Sequence, residues 1–297
     1  VTITEPTVLS ATMAVTNETC NYLNNGTASV SVSGGTPAYT YTWQPGNQTT
    51  PGITNQASGT YTVTIRDNLG CLITSIATII EPAPIVITFT NQVNVSCFGG
   101  NNGSITMNAT GGTPNYIYSW MPGSLSGSSI SGLGAATYTG TITDANGCVA
   151  QSTVTITQPL APLTVTVSSV PTSCNGGSNG SISAGAAGGT GPYTYSWLPG
   201  SFPGTPVNNL PAGTYTVIAT DFQGCLTNNT VTITQPVPIV ITNTVVSSTC
   251  GNSNGQATAS ATGGAGGPYT YTWMPGGVNS ARVDGSGVED LITTGLT

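Results

Sequence analysis

Residues 59–71 read GTYTVTIRDNLGC, and the same pattern returns as ATYTGTITDANGC at 136–148 and as GTYTVIATDFQGC at 213–225. In each copy, β-branched and aromatic residues dominate the first half, as in a β-strand. An Asp-x-x-Gly-Cys segment follows, and its Asp and Gly favour a tight turn. The pattern therefore predicts a strand, a turn and a second strand beginning near the cysteine, repeated every 77 residues.

Two further series of residues share this period, with spacings of 77, 77 and 76: Cys20, Cys97, Cys174 and Cys250, and Trp43, Trp120, Trp197 and Trp273. Glu-Pro or Gln-Pro pairs recur at the same interval and predict the module boundaries. The predicted organisation is the end of a preceding repeat at 1–5, complete repeats at 6–81, 82–158 and 159–235, and an incomplete fourth repeat at 236–297.

Each copy reads as short strands separated by turns. An Asn-Gly pair after the first cysteine favours a tight turn, and Trp-x-Pro-Gly ends a strand in which aromatic residues alternate with small polar ones. No segment has a useful length of helical periodicity. About seven short strands per copy predict an all-β protein of tandem immunoglobulin-like β-sandwich modules, with the four tryptophans in their cores. Because proline stiffens the joints and each repeat contacts only its neighbours, we expect a rod.

The composition excludes several classes of function. The chain has two cationic residues, Arg66 and Arg282, no lysine and no histidine, and a net charge of −7. It therefore cannot assemble the basic patch that nucleic-acid binding requires. No apolar run approaches the ~20 residues that span a bilayer, so we expect no membrane-embedded segment. Without histidine or lysine, Ser-His, Cys-His and Schiff-base chemistry are absent, and we expect no enzyme, no catalytic residue and no cofactor.

The recurrent carboxylates Asp67, Asp144 and Asp221 open the turn before the second cysteine. We expect them to cap backbone amides there rather than to bind calcium. A local acidic cluster, formed by Asp284, Glu289 and Asp290, contains the weak calcium candidates. Calcium loops need more ligands at fixed spacing, so a solvated loop is the preferred interpretation and no metal site is predicted.

Two cysteines per module predict disulfides and an oxidising, extracellular compartment. One scheme pairs them within modules, as Cys20–Cys71, Cys97–Cys148 and Cys174–Cys225. In a seven-strand sandwich, however, these positions lie at opposite poles, roughly 20–27 Å apart, whereas a disulfide needs Cα atoms within about 7 Å. The other scheme pairs neighbouring modules as Cys20–Cys148 and Cys97–Cys225, and leaves Cys71 and Cys250 to bond copies outside this sequence. Both schemes remain open at this point.

The third copy contains Asn-Gly-Ser-Ile at 179–182, Tyr-x-Tyr-x-Trp within 189–197, Gly-Thr-Tyr-Thr-Val-Ile at 213–218, Asp-x-x-Gly-Cys at 221–225 and Ile-Thr-Gln-Pro at 233–236. This series resembles the SprB repeat, and the resemblance covers essentially the whole chain. One departure is Gly140, which stands where the other copies have Val63 and Val217 and predicts weaker packing in the second core.

The resemblance implies a large surface protein of Bacteroidota, such as a gliding-motility adhesin, exported by type IX secretion and associated with the outer membrane. The function expected is a non-catalytic stalk or filament segment in cell adhesion, whose partners are neighbouring repeats of the same chain. Two alternatives are a self-assembling extracellular polymer, with other copies of the chain as partners, and a carbohydrate-binding repeat, with surface polysaccharide as the partner.

Overall fold

The computed structural model describes residues 5–247, 249–250, 255–273, 278–281 and 291–296. All the regular elements in these ranges are β-strands, and none of the described residues forms a helix that could cross a bilayer. Two compact units divide the chain: Val1–Val95 with Gly99–Gln158, and Ser96–Phe98 with Pro159–Thr297. The first unit contains most of the first two repeats, and the second contains the rest.

The first repeat forms six strands within residues 5–81: β1 (Ser10–Thr16), β2 (Gly26–Ser33), β3 (Thr40–Gln44), β4 (Gly52–Gln56), β5 (Gly59–Arg66) and β6 (Leu72–Ile79). They make two antiparallel sheets, ordered β1-β2-β4 and β3-β5-β6. The strand and turn predicted from 59–71 correspond to β5 and the turn into β6.

The second repeat has the same plan with one added short strand: β7 (Val86–Val93), β8 (Gly103–Thr110), β9 (Ile117–Met121), β10 (Leu125–Ser126), β11 (Ser129–Leu133), β12 (Ala136–Thr143) and β13 (Val149–Ile156). Its sheets are ordered β11-β8-β7 and β10-β9-β12-β13. The added strand β10 pairs with β9 along the edge of the second sheet.

The third repeat matches the second: β14 (Thr164–Val170), β15 (Gly180–Ala187), β16 (Thr194–Leu198), β17 (Phe202–Pro203), β18 (Val207–Leu210), β19 (Gly213–Thr220) and β20 (Leu226–Ile233). The fourth repeat contributes β21 (Val237–Val246), β22 (Gly255–Gly264), β23 (Thr270–Trp273), β24 (Val278–Ala281) and β25 (Leu291–Leu296). Its sheets are ordered β21-β22-β25 and β23-β24.

Each of the first three repeats has its own core, filled by side chains from both of its sheets. Trp43, Trp120 and Trp197 are fully buried at the centres of these cores. Each indole Nε1–H donates to a backbone carbonyl seven residues later, at 2.9–3.0 Å, so the polar edge of each ring is satisfied. The predicted all-β, immunoglobulin-like sandwich is confirmed. The side chain of Trp273 lies outside the described residues.

The first and last strands of each of the first three repeats end at the same pole. The amide of Glu18, just after β1, donates to the carbonyl of Ile80, just after β6, at 3.0 Å. Equivalent bonds join Val95 to Thr157 and Thr172 to Thr234, at 2.9 and 3.0 Å. Strands β1 and β6 therefore run in the same direction, and a repeat begins at one pole and finishes at the other.

The expectation of weak packing at Gly140 is wrong, because a larger neighbour fills the space. Gly140 lies opposite Trp120 in the β12–β9 ladder. A Cβ atom built on Gly140 would overlap the Sδ of Met107 and lie 3.3 Å from Cζ3 of Trp120. Met107 is itself fully buried. In the first repeat, Val30 stands at the position of Met107 and Val63 at the position of Gly140, and both are buried in the core. A medium-sized pair there fills the space that a large and a small residue fill in the second repeat.

This exchange of volume predicts that Gly140→Val destabilises the first unit by about 1–3 kcal/mol, the usual penalty for overpacking a core. The double variant M107V/G140V, which has the valine pair of the first repeat, should recover most of that loss. Chemical denaturation of the full chain with each variant measures both effects. A Gly140→Val variant as stable as the parent would contradict the packing described here.

Candidate functional site

The turn that precedes each second cysteine is organised by one buried aspartate. In the second repeat, Asp144 Oδ2 accepts the Thr113 N–H at 2.8 Å, and Oδ1 accepts the N–H groups of Asn146 and Cys148, both at 2.9 Å. The first and third repeats build the same cap around Asp67 and Asp221. Because the cap includes the amide of the cysteine itself, the carboxylate fixes where that cysteine leaves the turn.

The amide groups also stabilise the charged form of these carboxylates. For Asp67 the N–H of Thr36 is the largest influence and lowers the pKa; burial opposes it, and the N–H groups of Cys71 and Leu69 add to the lowering. For Asp144 burial is the largest influence and raises the pKa, but the N–H groups of Thr113, Cys148 and Asn146 together outweigh it, so the pKa lies below its usual range. Both carboxylates therefore cap the turn as anions at neutral pH.

The first cysteine of each repeat lies in a loop that follows the first strand, at 17–25, 94–102 and 171–179; we name it the first-cysteine loop. The Asn of its Asn-Gly pair caps the loop, since Asn25 Oδ1 accepts the Thr19 N–H and Asn179 Oδ1 accepts the Ser173 N–H, both at 3.0 Å. The tight turn predicted at the Asn-Gly pair itself is wrong, because the Gly has no positive φ and begins the next strand at Gly26, Gly103 and Gly180.

The Glu or Gln that ends each repeat anchors this loop, a role that sequence reasoning missed. Side-chain oxygens of Glu81, Gln158 and Gln235 accept the N–H groups of Tyr22, Gly99 and Gly176, each at 2.8 Å. In the sequence these residues mark only the boundaries between repeats. The available signal was the recurrence of a side chain with a terminal oxygen acceptor, Glu or Gln, at this position of the repeat.

Two disulfides each connect the first-cysteine loop of one repeat to the Asp-capped turn of the following repeat. Cys20 is bonded to Cys148 with Cα atoms 5.6 Å apart, and Cys97 to Cys225 with Cα atoms 5.7 Å apart. Of the two schemes that the sequence left open, the structure contains the one between neighbouring repeats. The within-repeat bonds are absent from the described residues because each pair is separated by the length of the last strand, which has eight residues in β6 and spans about 26 Å.

A model of the SprB repeat matches the chain four times, at 12–48, 89–125, 166–202 and 242–278. Each match begins within the first strand of a repeat and includes the first cysteine and the tryptophan. The chain belongs to the SprB repeat family. No curated protein matches it.

Solved structures that resemble the SprB repeats of this chain are tandem immunoglobulin-domain proteins. Sidekick-1 immunoglobulin domains 1–5 align at 14% identity over 78% of this chain and 59% of that one, with a TM-score of 0.37. The mouse nectin-like molecule 4 ectodomain aligns at 11% identity over 75% and 93% of the two chains, with a TM-score of 0.31. The chain thus spans less than two thirds of the Sidekick-1 structure.

The joint between the first two SprB repeats adds contacts around its disulfide. Asn146 Nδ2 donates to the carbonyl of Thr19 at 3.0 Å, and Cys148 Sγ lies 3.3 Å from the same oxygen. A cavity of about 380 Å³ lies beside the bond and is lined by Leu23, the segment 82–85 and Val149, among others, with no charged side chain. The disulfide and the Asn146–Thr19 hydrogen bond therefore both join the first repeat to the second.

Three cysteines of the SprB repeats are free and exposed: Cys71, Cys174 and Cys250. The between-repeat scheme left Cys71 and Cys250 to bond copies outside this sequence and did not name Cys174, which is free as well. The acidic cluster Asp284, Glu289 and Asp290 lies outside the described residues. Within the described ranges, no group of three or more His, Cys, Asp or Glu side chains could hold a metal ion.

The bonding pattern predicts which cysteines matter for stability. Replacing Cys20 and Cys148 together by serine should cost about 2–5 kcal/mol, the usual range for removing a native disulfide. The matched control is Cys71→Ser, which removes an exposed free thiol and should change stability by less than about 0.5 kcal/mol.

Trypsin has two cleavage sites in this chain, after Arg66 and Arg282, so the peptide maps are made with chymotrypsin. Under non-reducing conditions they should contain Cys20–Cys148 and Cys97–Cys225 peptides. A map dominated by Cys20–Cys71 would contradict the structure.

The lowered pKa of Asp144 predicts a pH dependence. The pKa of Asp144 in the folded protein lies below its value of about 3.9 in the unfolded chain. The anion therefore stabilises the fold at pH values above the unfolded pKa, and this contribution is lost as the pH falls through the folded pKa. Asp144→Asn should therefore unfold more readily than the parent at pH 7, with the difference shrinking in acid. Denaturation across pH measures this, with Glu5→Gln as the exposed-carboxylate control. A difference that persists unchanged in acid would refute the anionic cap.

Proposed function

We propose that the chain is a non-catalytic stalk segment of a large secreted cell-surface adhesin, built of repeats at 6–81, 82–158, 159–235 and 236–297. The observation that supports this most directly is the pair of disulfides between successive repeats. A covalent bond at a joint holds two domains in one arrangement, whereas a flexible linker would let them move apart. A fixed arrangement at the two bonded joints suits a rod that holds a binding region away from the cell.

The bonds also suit a segment under tension. Each bond spans 128 residues, so the two spans overlap. The shortest covalent path from Cys20 to Cys225 runs through both bonds and only the 51 residues between Cys97 and Cys148. A pulling force therefore reaches the next repeat without first unfolding the previous one completely, which is what a stalk exposed to shear requires.

The extracellular location rests on the same bonds, since disulfides persist in oxidising compartments. Association with the outer membrane, type IX secretion, gliding motility and an origin in Bacteroidota are proposed from membership of the SprB repeat family. The neighbouring repeats of the same chain are the proposed partners, because the described contacts at the joints are made between them.

A structural role is favoured over a catalytic one by the chemistry of the described residues. The most strongly organised carboxylates, Asp67, Asp144 and Asp221, use their oxygens for backbone amides within their own turns. Trp43 lies in the core of the first repeat, and Tyr39 and Tyr41 pack against it. Tyr39 OH donates to the Gly34 carbonyl at 2.7 Å. These polar groups already form hydrogen bonds within their own repeats, which supports a structural stalk.

Single-molecule stretching of the chain between its ends tests the proposal. In the oxidised protein, extension between Cys20 and Cys225 should stop at the 51-residue path, and reduction should release the full 205 residues between them. At roughly 3.3–3.6 Å per residue, the gain is about 50 nm. Cys71→Ser should stretch like the parent, because Cys71 takes no part in either bond.

Electron micrographs of the same sample give a second readout. A beaded rod is the expected shape. Compact globules, or an oxidised chain that extends as far as the reduced one, would overturn the stalk.

A further inference from the structure

The first-cysteine loop of the first repeat differs from its two counterparts at one pair of positions. Tyr22-Leu23 stands where the second and third repeats have Gly99-Gly100 and Gly176-Gly177. The φ angle is 73° at Gly99, 72° at Gly176 and 56° at Tyr22, so the loop needs a left-handed residue at this position in all three repeats. Glycine adopts this conformation freely, whereas a bulky side chain is strained in it.

A buried carboxylate gives the same loop a second unfavourable feature. Glu18 Oε2 accepts the Asn24 N–H at 2.6 Å, which holds the loop in its strained shape. Glu18 is 4% exposed, and its Oε1 accepts no hydrogen bond from the described residues. A buried oxygen without a partner destabilises a fold, and the other two repeats avoid this with Val95 and Thr172. Local strain of this kind concentrates at functional sites.

The strained loop presents an exposed aromatic side chain beside the cavity at the first joint. Tyr22 is 79% exposed and Leu23 is 52% exposed. Tyr22 lies between Asn21 and Leu23, which both line the cavity. The cavity volume of about 380 Å³ is within the range of roughly 300–1,000 Å³ that is usual for small-molecule pockets. The ring and the cavity therefore offer adjoining surfaces to one ligand.

The polar groups around the cavity indicate the chemistry of that ligand. Asn21 donates one amide N–H to the Pro82 carbonyl at 3.2 Å, which leaves its Oδ1 and its other N–H for a ligand. Asn24 adds a second, exposed amide. An amide both donates and accepts hydrogen bonds, as a hydroxyl does, and the lining has no charged side chain. These groups match a neutral ligand rich in hydroxyls better than an anion, which only accepts, or a cation, which only donates.

We propose that Tyr22, Leu23 and the adjoining cavity form a binding site for the neutral sugar units of an extracellular polysaccharide. The ring of Tyr22 stacks on the C–H face of a sugar, and the amides of Asn21 and Asn24 bind its hydroxyls. Tyrosine suits this role because it supplies a large contact area and loses little conformational entropy on binding. The inference goes beyond the proposed stalk, since it gives the first joint a ligand of its own.

The site needs both repeats of the joint. Asn21 and Leu23 come from the first repeat, whereas the segment 82–85 and Val149 come from the second. The disulfide of this joint lies in the lining and fixes the two sides relative to each other. A cavity that keeps its shape binds a ligand at a lower entropic cost than one that must first assemble. Binding should therefore weaken when the disulfide is reduced.

Native gel electrophoresis of the full chain, with a polysaccharide cast into the gel, tests the site; the net charge of −7 drives the migration. The probes are laminarin, mannan and dextran, which are neutral, and alginate, which is anionic. At least one neutral polysaccharide should slow the parent chain increasingly with its concentration, and alginate should not. Tyr22→Gly should raise the apparent dissociation constant at least about tenfold, as expected for the loss of an aromatic anchor.

Tyr22→Gly should keep the fold, because the other two repeats have glycine at this position. Its thermal unfolding midpoint should equal or exceed that of the parent. The matched control is Phe222→Ala, which removes a side chain that is 69% exposed and lies outside the cavity lining. This control should bind like the parent.

Four results would each overturn the site: no retardation by any of the three neutral polysaccharides, retardation by alginate alone, equal binding by Tyr22→Gly and the parent, and equal losses in Tyr22→Gly and Phe222→Ala. A Tyr22→Gly chain that unfolds before the parent would also overturn it, because the ring would then support the fold. None of these results bears on the stalk, which the stretching experiment tests separately.

Discussion

The structure depends on the hydrogen bond that holds the end of the first strand beside the end of the last strand in each of the first three SprB repeats. Because Glu18 N–H reaches Ile80 O, and the equivalent amides at Val95 and Thr172 do the same, the two strands run in one direction. The first cysteine, just after the first strand, then lies at the pole where the repeat ends. The second cysteine, at the start of the last strand, lies at the pole where it begins. Pairing between neighbouring repeats follows from that polarity.

Two sets of side-chain hydrogen bonds fix the positions of the two cysteines at these poles. The loop at one pole is pinned by the closing Glu or Gln, and the turn at the other is fixed by a carboxylate that holds the cysteine amide. Each device satisfies backbone amides that a tight loop would otherwise leave unpaired, at a cost of about 1–3 kcal/mol for a buried group. The same hydrogen bonds that stabilise the loops therefore also position the sulfur atoms.

The repeat, its strands and its buried tryptophans could be predicted from the sequence, because period and alternation are local properties. The cysteine pairing could not, because it depends on the order of strands in two sheets, and spacing does not determine that order. The weaker packing expected at Gly140 was wrong for a related reason: Met107 fills the space from the facing sheet, across a contact between residues far apart in sequence. The anchoring role of Glu81, Gln158 and Gln235 was missed because a Glu-Pro or Gln-Pro pair also reads as a simple boundary.

The difference between the bond span and the repeat length has a mechanical consequence of its own. A bond of 128 residues is longer than the 77-residue period, so the spans 20–148 and 97–225 overlap. Every peptide bond between Cys20 and Cys225 is therefore bypassed by at least one disulfide. A single cut anywhere in that range leaves the two pieces covalently joined, whereas within-repeat bonds would leave each connecting segment as a point of failure. Overlap thus protects continuity of the chain, and it does so with no more cysteines per repeat than the simpler pairing would use.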